Sequence, residues 1–200
     1  SLKMDADTII AGLLHDVVED CEISLKTVKK EFGNNVAKLV DGMTKLLQLD
    51  DKLKDQSQAE YFQKMALATA EDVRVVIIKL ADRLHNLQTI EHLPREKQIK
   101  KARETLELYA PLAHQIGMHK MATDLEDHSF KTIHPFRHKL IEQALKKNEL
   151  NRKTLISKVK KTLRAKFKKN DVPADTKGRR KRIYSIYQKM KSKNRSFGDI

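Results

Sequence analysis

Cysteine occurs once in the 200 residues, at Cys21. A single thiol excludes an intramolecular disulfide and fits a reducing compartment. Six glycines and four prolines are too few for a collagen-like or loop-dominated chain. No apolar run approaches the ~18 residues of a membrane span. The opening, SLKMDADTII, lacks the basic-then-apolar layout of a secretory signal. It also lacks an initiator Met, so a piece of a longer protein is expected. Acid is scarce at the other end. Residues 151–200 hold 18 Lys and Arg against 3 Asp and Glu, whereas residues 1–150 hold 23 against 24. The net charge of +14 therefore belongs to one segment. Such a block suits a polyanion, or else is a solvated tail. With 40% hydrophobic and 34% charged residues the chain is globular in class and long enough to bury a core.

The hydrophobic period is helical almost throughout. Asp7 is a candidate cap for a helix whose stripe is Ile9, Ile10, Leu13, Leu14 and Val17, running to residues 20–22. Ser24 has N-cap character for LKTVKKEF, which stops at Gly33. Val36, Leu39, Val40, Met43, Leu46 and Leu47 line a third helix. Gln48 to Ser57 reads as a loop, and Tyr61, Phe62, Met65, Leu67 and Ala68 mark a fourth helix. Residues 72–90, the most apolar stretch, continue in Leu80, Leu84 and Leu87 without Gly or Pro, which favours a long helix over a buried strand. Pro94 suits the first position of another, and Pro111 and Gly117 punctuate the phrase YAPLAHQIGM. Further helices are expected at 119–127, 135–148, 151–169 and 179–193, with turn chemistry at 170–178. The expected class is all-α.

The sharpest chemical signal is His15-Asp16-Val17-Val18-Glu19-Asp20. On a helix these four ionisable groups share one edge. Three carboxylates in a last turn face the negative end of the helix dipole and repel one another, and a cation reverses both costs. Imidazole with carboxylate fits Zn, Mn or Fe and leans away from Ca. The plain alternative is a polar helix end carrying solvated acids. Asp82 adds weight to the metal. It shares a face with Val75 and Ile78, and a carboxylate projecting among apolar residues needs a partner or a metal. Lys79 and Arg83 are the candidate salt-bridge partners. Asn86 and Thr89 continue that face and suit polar recognition of a ligand.

The phrases AGLLHDVVED, VVIIKLADRLHNLQTI, YAPLAHQIGMHKMATDLEDHSF and GRRKRIYSIYQKM, in this order, closely resemble the RelA/SpoT family of bacterial alarmone synthetases and hydrolases. The resemblance covers essentially the whole chain. It implies an all-α HD-type hydrolase bundle at residues 1–110, a helical connector at 111–172, and the start of an α/β nucleotidyltransferase-like synthetase at 173–200. The activity it implies is metal-dependent hydrolysis of the 3′-pyrophosphate of guanosine tetra- or pentaphosphate to GDP or GTP. The intact enzyme would also transfer pyrophosphate from ATP to GTP or GDP, in the cytoplasm and without a membrane.

Carried over by position, the resemblance makes His15, Asp16 and Asp82 ligands of Mn²⁺. It makes Glu19 and Asp20 the acids that activate the attacking water, and Asn86 and Thr89 the residues that hold guanosine. Arg179, Lys181, Ser185 and Lys189 match positions that engage nucleotide phosphates. On a helix Lys181, Ser185 and Lys189 form one stripe, with Tyr184 and Tyr187 packing or stacking beside it. Two departures are expected to impair both activities. The family's further ligand histidine lies upstream of this HD pair, where nothing precedes Ser1, and its Mg²⁺-binding Asp lies beyond the basic helix. Asp199 is not that residue by position. For His85, His92, His114 and His119 a core or surface role is the expectation. Ribosomal or regulatory partners would act through C-terminal regions this chain does not contain. An HD phosphohydrolase for another nucleotide, or a basic helical nucleic-acid-binding module, are the alternatives.

Overall fold

The computed structural model describes residues 4–21, 23–52, 72–147, 149–178 and 181–194. Among these the regular structure is helical and no strand forms. The chain divides into two compact units, Ser1–Ser129 and Phe130–Ile200. None of the described helices is long and apolar enough to cross a membrane.

The first unit opens with α1 (Ala6–Leu13). Its N-cap is Asp5, not Asp7: the Asp5 carboxylate accepts the amide of Thr8 at 2.8 Å and its hydroxyl at 2.6 Å. The helix also ends earlier than its apolar stripe suggests. His15 Nδ1 donates to the Gly12 carbonyl at 2.8 Å. That carbonyl is the acceptor a continuing helix would give to the amide of Asp16. A turn comes next, and then the single-turn α2 (Val17–Asp20).

Helix α3 (Leu25–Lys52) is two helices joined at a kink, where Gly33 takes φ 89° and ψ 172°. A residue with a side chain rarely adopts that backbone, so the expected stop at Gly33 holds. Ser24 Oγ accepts the Thr27 amide at 3.2 Å. Val36, Leu39, Val40, Met43 and Leu46 are buried as their spacing predicts. The helix runs on to Lys52, past the expected loop start at Gln48, and the helix expected around Tyr61–Ala68 lies outside the described residues.

Helix α4 (Val73–Gln88) is the expected long helix and buries Val75, Val76, Ile78 and Leu80. Both α1 and α3 pack on it, and α1 also packs on α3. Its N-cap is Asp72, whose carboxylate accepts the Arg74 amide at 2.9 Å. The Arg74 guanidinium then joins two caps, with Nη2 2.7 Å from Asp72 Oδ2 and Nη1 3.1 Å from Asp5 Oδ2. After α4 a short 3-10 turn (Ile90–His92) leads to α5 (Arg95–Glu104), with Pro94 at its cap.

A π turn (Thr105–Tyr109) connects α5 to α6 (Ala110–Gln115). Pro111 explains the widening: an α-helical Pro111 offers no N–H to the Glu107 carbonyl and clashes with it. Tyr109 is fully buried there beneath the Arg83 guanidinium, 4.1 Å from the ring centre. Gly117, at φ 79°, reverses the chain into α7 (His119–Ile133).

The second unit holds α8 (Pro135–Lys147), α9 (Glu149–Lys169) and α10 (Ile183–Lys193). Phe130, Ile141, Leu145 and Ile186 form its core. Tyr187 stacks on Phe130 at 4.5 Å and accepts from Arg137 Nη1 at 2.7 Å.

Candidate metal centre

Three of the side chains singled out in the sequence meet. His15 and Asp16 occupy the turn after α1, and Asp82 sits in the third turn of α4. His15 Nε2 lies 3.0 Å from Asp16 Oδ2 and 3.5 Å from Asp82 Oδ1. Asp82 is 15% exposed, as its place on an apolar face requires, whereas Asp16 is 51% exposed. Asn86 Nδ2 donates to Asp82 Oδ1 at 2.8 Å, and Lys79 Nζ approaches Oδ2 at 3.8 Å. Arg83 instead turns to Glu104, at 3.0 Å. The salt-bridge reading of Asp82 thus has a real partner in Lys79, at an extended distance.

His15 decides what the cluster can do. The Gly12 carbonyl can only accept, so the ring proton sits on Nδ1. In the neutral ring this leaves the lone pair on Nε2. That atom is buried, has no hydrogen-bond partner, and faces carboxylate oxygens. The Asp82 contact has an ion-pair distance but lacks the direction of a hydrogen bond. A lone pair aimed at two carboxylates is repulsive unless something positive stands between them. A proton is one answer: the Asp82 carboxylate, against the effect of burial, raises the His15 pKa above the usual 6.5. For Asp82, burial acts to raise the pKa but His15 and Lys79 outweigh it, and the carboxyl is held below its ordinary range. A divalent cation is the other answer. Donor atoms about 2.1 Å from one ion stand about 3 Å apart, close to the spacings seen.

Among the described residues no group of three or more His, Cys, Asp and Glu side chains is placed to enclose an ion. The cluster is therefore a matched set of donors and not a closed shell. Glu19 and Asp20 lie exposed in α2, beside the turn that carries His15. This corrects the picture of four groups on one helix edge, because a turn separates the HD pair from the acids. Thr89 caps α4 and donates its hydroxyl to the His85 carbonyl at 3.1 Å.

The basic end is described in part, and Arg179 lies outside the described residues. Lys181 is exposed but precedes α10, whose N-cap is Arg182, so the stripe predicted for it with Ser185 and Lys189 does not include it. Ser185 is exposed on α10 and Lys189 half-buried one turn on.

The HD domain family matches residues 1–119. The whole chain is 41% identical to the guanosine-3′,5′-bis(diphosphate) 3′-pyrophosphohydrolase of Vibrio cholerae, covering 28% of that protein. It is 41% identical to the bifunctional (p)ppGpp synthase/hydrolase SpoT of Escherichia coli K12, again over 28% of its length. It is 45% identical to the GTP pyrophosphokinase of Streptomyces coelicolor, covering 23%. The RelA/SpoT resemblance read from four motifs therefore holds along the full sequence, and the chain spans about a quarter of the length of these relatives. An HD domain implies a divalent metal ion, and the partnerless Nε2 with two facing carboxylates fits one.

Proposed function

This chain belongs to the HD domain family, and from that premise we propose that it hydrolyses the 3′-pyrophosphate ester of guanosine tetra- and pentaphosphate, releasing pyrophosphate and GDP or GTP. The observation that carries this reading is the buried Nε2 of His15 aimed at Asp16 and Asp82. Similarity along the whole of this chain to part of proteins named for this substrate supports the choice of nucleotide.

His15, Asp16 and Asp82 hold the metal, and the mixed imidazole and carboxylate set suits Mn²⁺. When bound, the ion polarises a phosphoryl oxygen and makes a nearby water more acidic. The rest falls to the chain. The Gly12 carbonyl fixes the His15 tautomer and ring plane, and Asn86 steadies Asp82 through Oδ1, the oxygen that also faces His15. Glu19 or Asp20 accepts a proton from water as its oxygen bonds to the phosphorus carried by the 3′-oxygen. The phosphorus–3′-oxygen bond breaks, and that oxygen leaves with a proton from solvent. Asn86 and Thr89, exposed along one side of α4, contact the guanosine.

We assign residues 1–110 to the hydrolase, 111–172 to a connector and 173–200 to the start of a synthetase. In the synthetase Arg179, Lys181, Ser185 and Lys189 meet nucleotide phosphates, with Mg²⁺ as its ion and ATP as donor, in the bacterial cytoplasm.

The test pairs binding with turnover. Guanosine tetraphosphate should displace a fluorescent analogue at concentrations where duplex DNA does not, and Mn²⁺ should support pyrophosphate release, slow for a donor set that is not a closed shell, that Asp82→Asn abolishes. Displacement by DNA at equal concentration, with no release in the wild type, overturns the assignment in favour of a nucleic-acid-binding module.

A further inference from the structure

We propose that His114 and His119 form a second divalent-metal site, separate from the HD centre, for a borderline-soft ion of the zinc class. The two rings lie on successive helices of the first unit, α6 and α7, and the Gly117 turn folds one over the other. The reversal is tight: Met118 N–H reaches back to the Ala113 carbonyl at 2.8 Å and Gly117 N–H to the His114 carbonyl at 3.1 Å.

Their Nδ1 atoms face each other at 3.4 Å. For a hydrogen bond this is long, since protein N–H donors usually stand about 2.7–3.2 Å from their acceptors. For two imidazole nitrogens on one zinc it is the natural separation. Bonds of about 2.0–2.1 Å at the tetrahedral angle place the two atoms about 3.3 Å apart.

The third residue sets the chemistry of the first ring. His114 Nε2 lies 3.2 Å from Glu126 Oε1, and Glu126 is 19% exposed. An ionised carboxylate can only accept, so the His114 proton sits on Nε2 and the lone pair on Nδ1, directed at His119. A carboxylate behind a ligating imidazole is the arrangement that orients such rings at metal sites and raises their basicity.

His119 is exposed and free to turn its lone pair inward. No third His, Cys, Asp or Glu joins the pair among the described residues, so water completes the shell. A two-histidine, two-water site is open to exchange. It suits reversible occupancy by zinc, copper or nickel, the ions that imidazole favours, over calcium or magnesium.

The test uses the chain as it stands, with Zn²⁺ as probe in equilibrium dialysis. His119→Ala, an exposed position tolerant of substitution, should lose one equivalent of bound zinc. Glu126→Gln should weaken that equivalent about 10-fold or more. Asp82→Asn, which addresses the HD centre, should leave it in place. Cobalt substitution supplies a second readout, because imidazole ligation gives a visible absorption band that His119→Ala should remove. Equal zinc uptake and an unchanged cobalt band in wild type and His119→Ala overturn the proposal. Equal zinc uptake by Asp82→Asn and by the same chain carrying His119→Ala as well also overturns it, because the ion would then belong to the HD centre.

Discussion

A β-carbon built on Gly42 stands 2.8 Å from Cγ2 of Val75, closer than such atoms approach in proteins. The two residues mark the crossing of α3 and α4. Val75 is buried, so it has little room to give way. The glycine is there for close approach and not for its backbone freedom.

Gly42→Ala should therefore destabilise the fold. Overpacking of about 1–3 kcal/mol outweighs a helix-propensity gain of about 1 kcal/mol. Gly12→Ala is the control, because the added carbon meets only Ile78 Cγ2 at an ordinary 3.9 Å. There the propensity term acts alone, and stability should rise by about 0.5–1 kcal/mol. Urea unfolding of both variants checks the pair, and the same sign for both refutes the packing account.

Asp82→Asn keeps the shape of the side chain and removes its charge. The expected outcome is loss of bound Mn²⁺ and of hydrolysis together, with the melting temperature changed little. Elemental analysis beside a melting curve measures both. Unchanged metal stoichiometry with a lower melting temperature means that Asp82 serves Lys79 alone.

Glu19→Gln and Asp20→Asn act on the proton and not on the ion. Each should leave Mn²⁺ and substrate bound, and the one that is the base should lower turnover about 10²–10⁴-fold. Metal content fixed while the rate falls supports the assignment. Metal lost in step with rate makes these acids ligands.

Stability should fall in acid through Asp72. Its bond to Arg74 holds the carboxyl below the ordinary 3.8. A carboxyl with a lowered folded-state pKa adds stability at pH above its unfolded value, and that contribution fades as pH drops through the folded one. Asp5 shifts in the same direction, through Thr8 first and Arg74 second. Arg74→Met should flatten the pH dependence of the melting temperature below about pH 4. An unchanged slope removes Arg74 as its cause.

Much of this is legible in the sequence, and the rest is not for definite reasons. Periodicity finds α4 and the buried face of α3 because both are long amphipathic segments whose packing agrees with their propensity. It also places Asp82 among apolar neighbours. It cannot end α1 correctly, because the terminating event is a side chain, His15, taking the Gly12 carbonyl; an apolar stripe carries no trace of that bond. The same error puts the HD pair and the acid pair on one continuous helix. The spacing of Lys181 fits a helix, yet Arg182 caps α10 one residue too late for it. Motif resemblance names the site residues without showing that Asn86 donates to Asp82.

The two caps that Arg74 joins have a consequence for length. His15 stands ten positions after Asp5, and Asp82 ten positions after Asp72. The segments start from one guanidinium and arrive at one pair of facing atoms, so they behave as two rails with a rung at either end. The count between rungs is then constrained more tightly than the residues that fill it. One residue added to α4 between the rungs turns Asp82 by about 100° around its axis and carries the carboxylate off the site, even if every ligand side chain is retained.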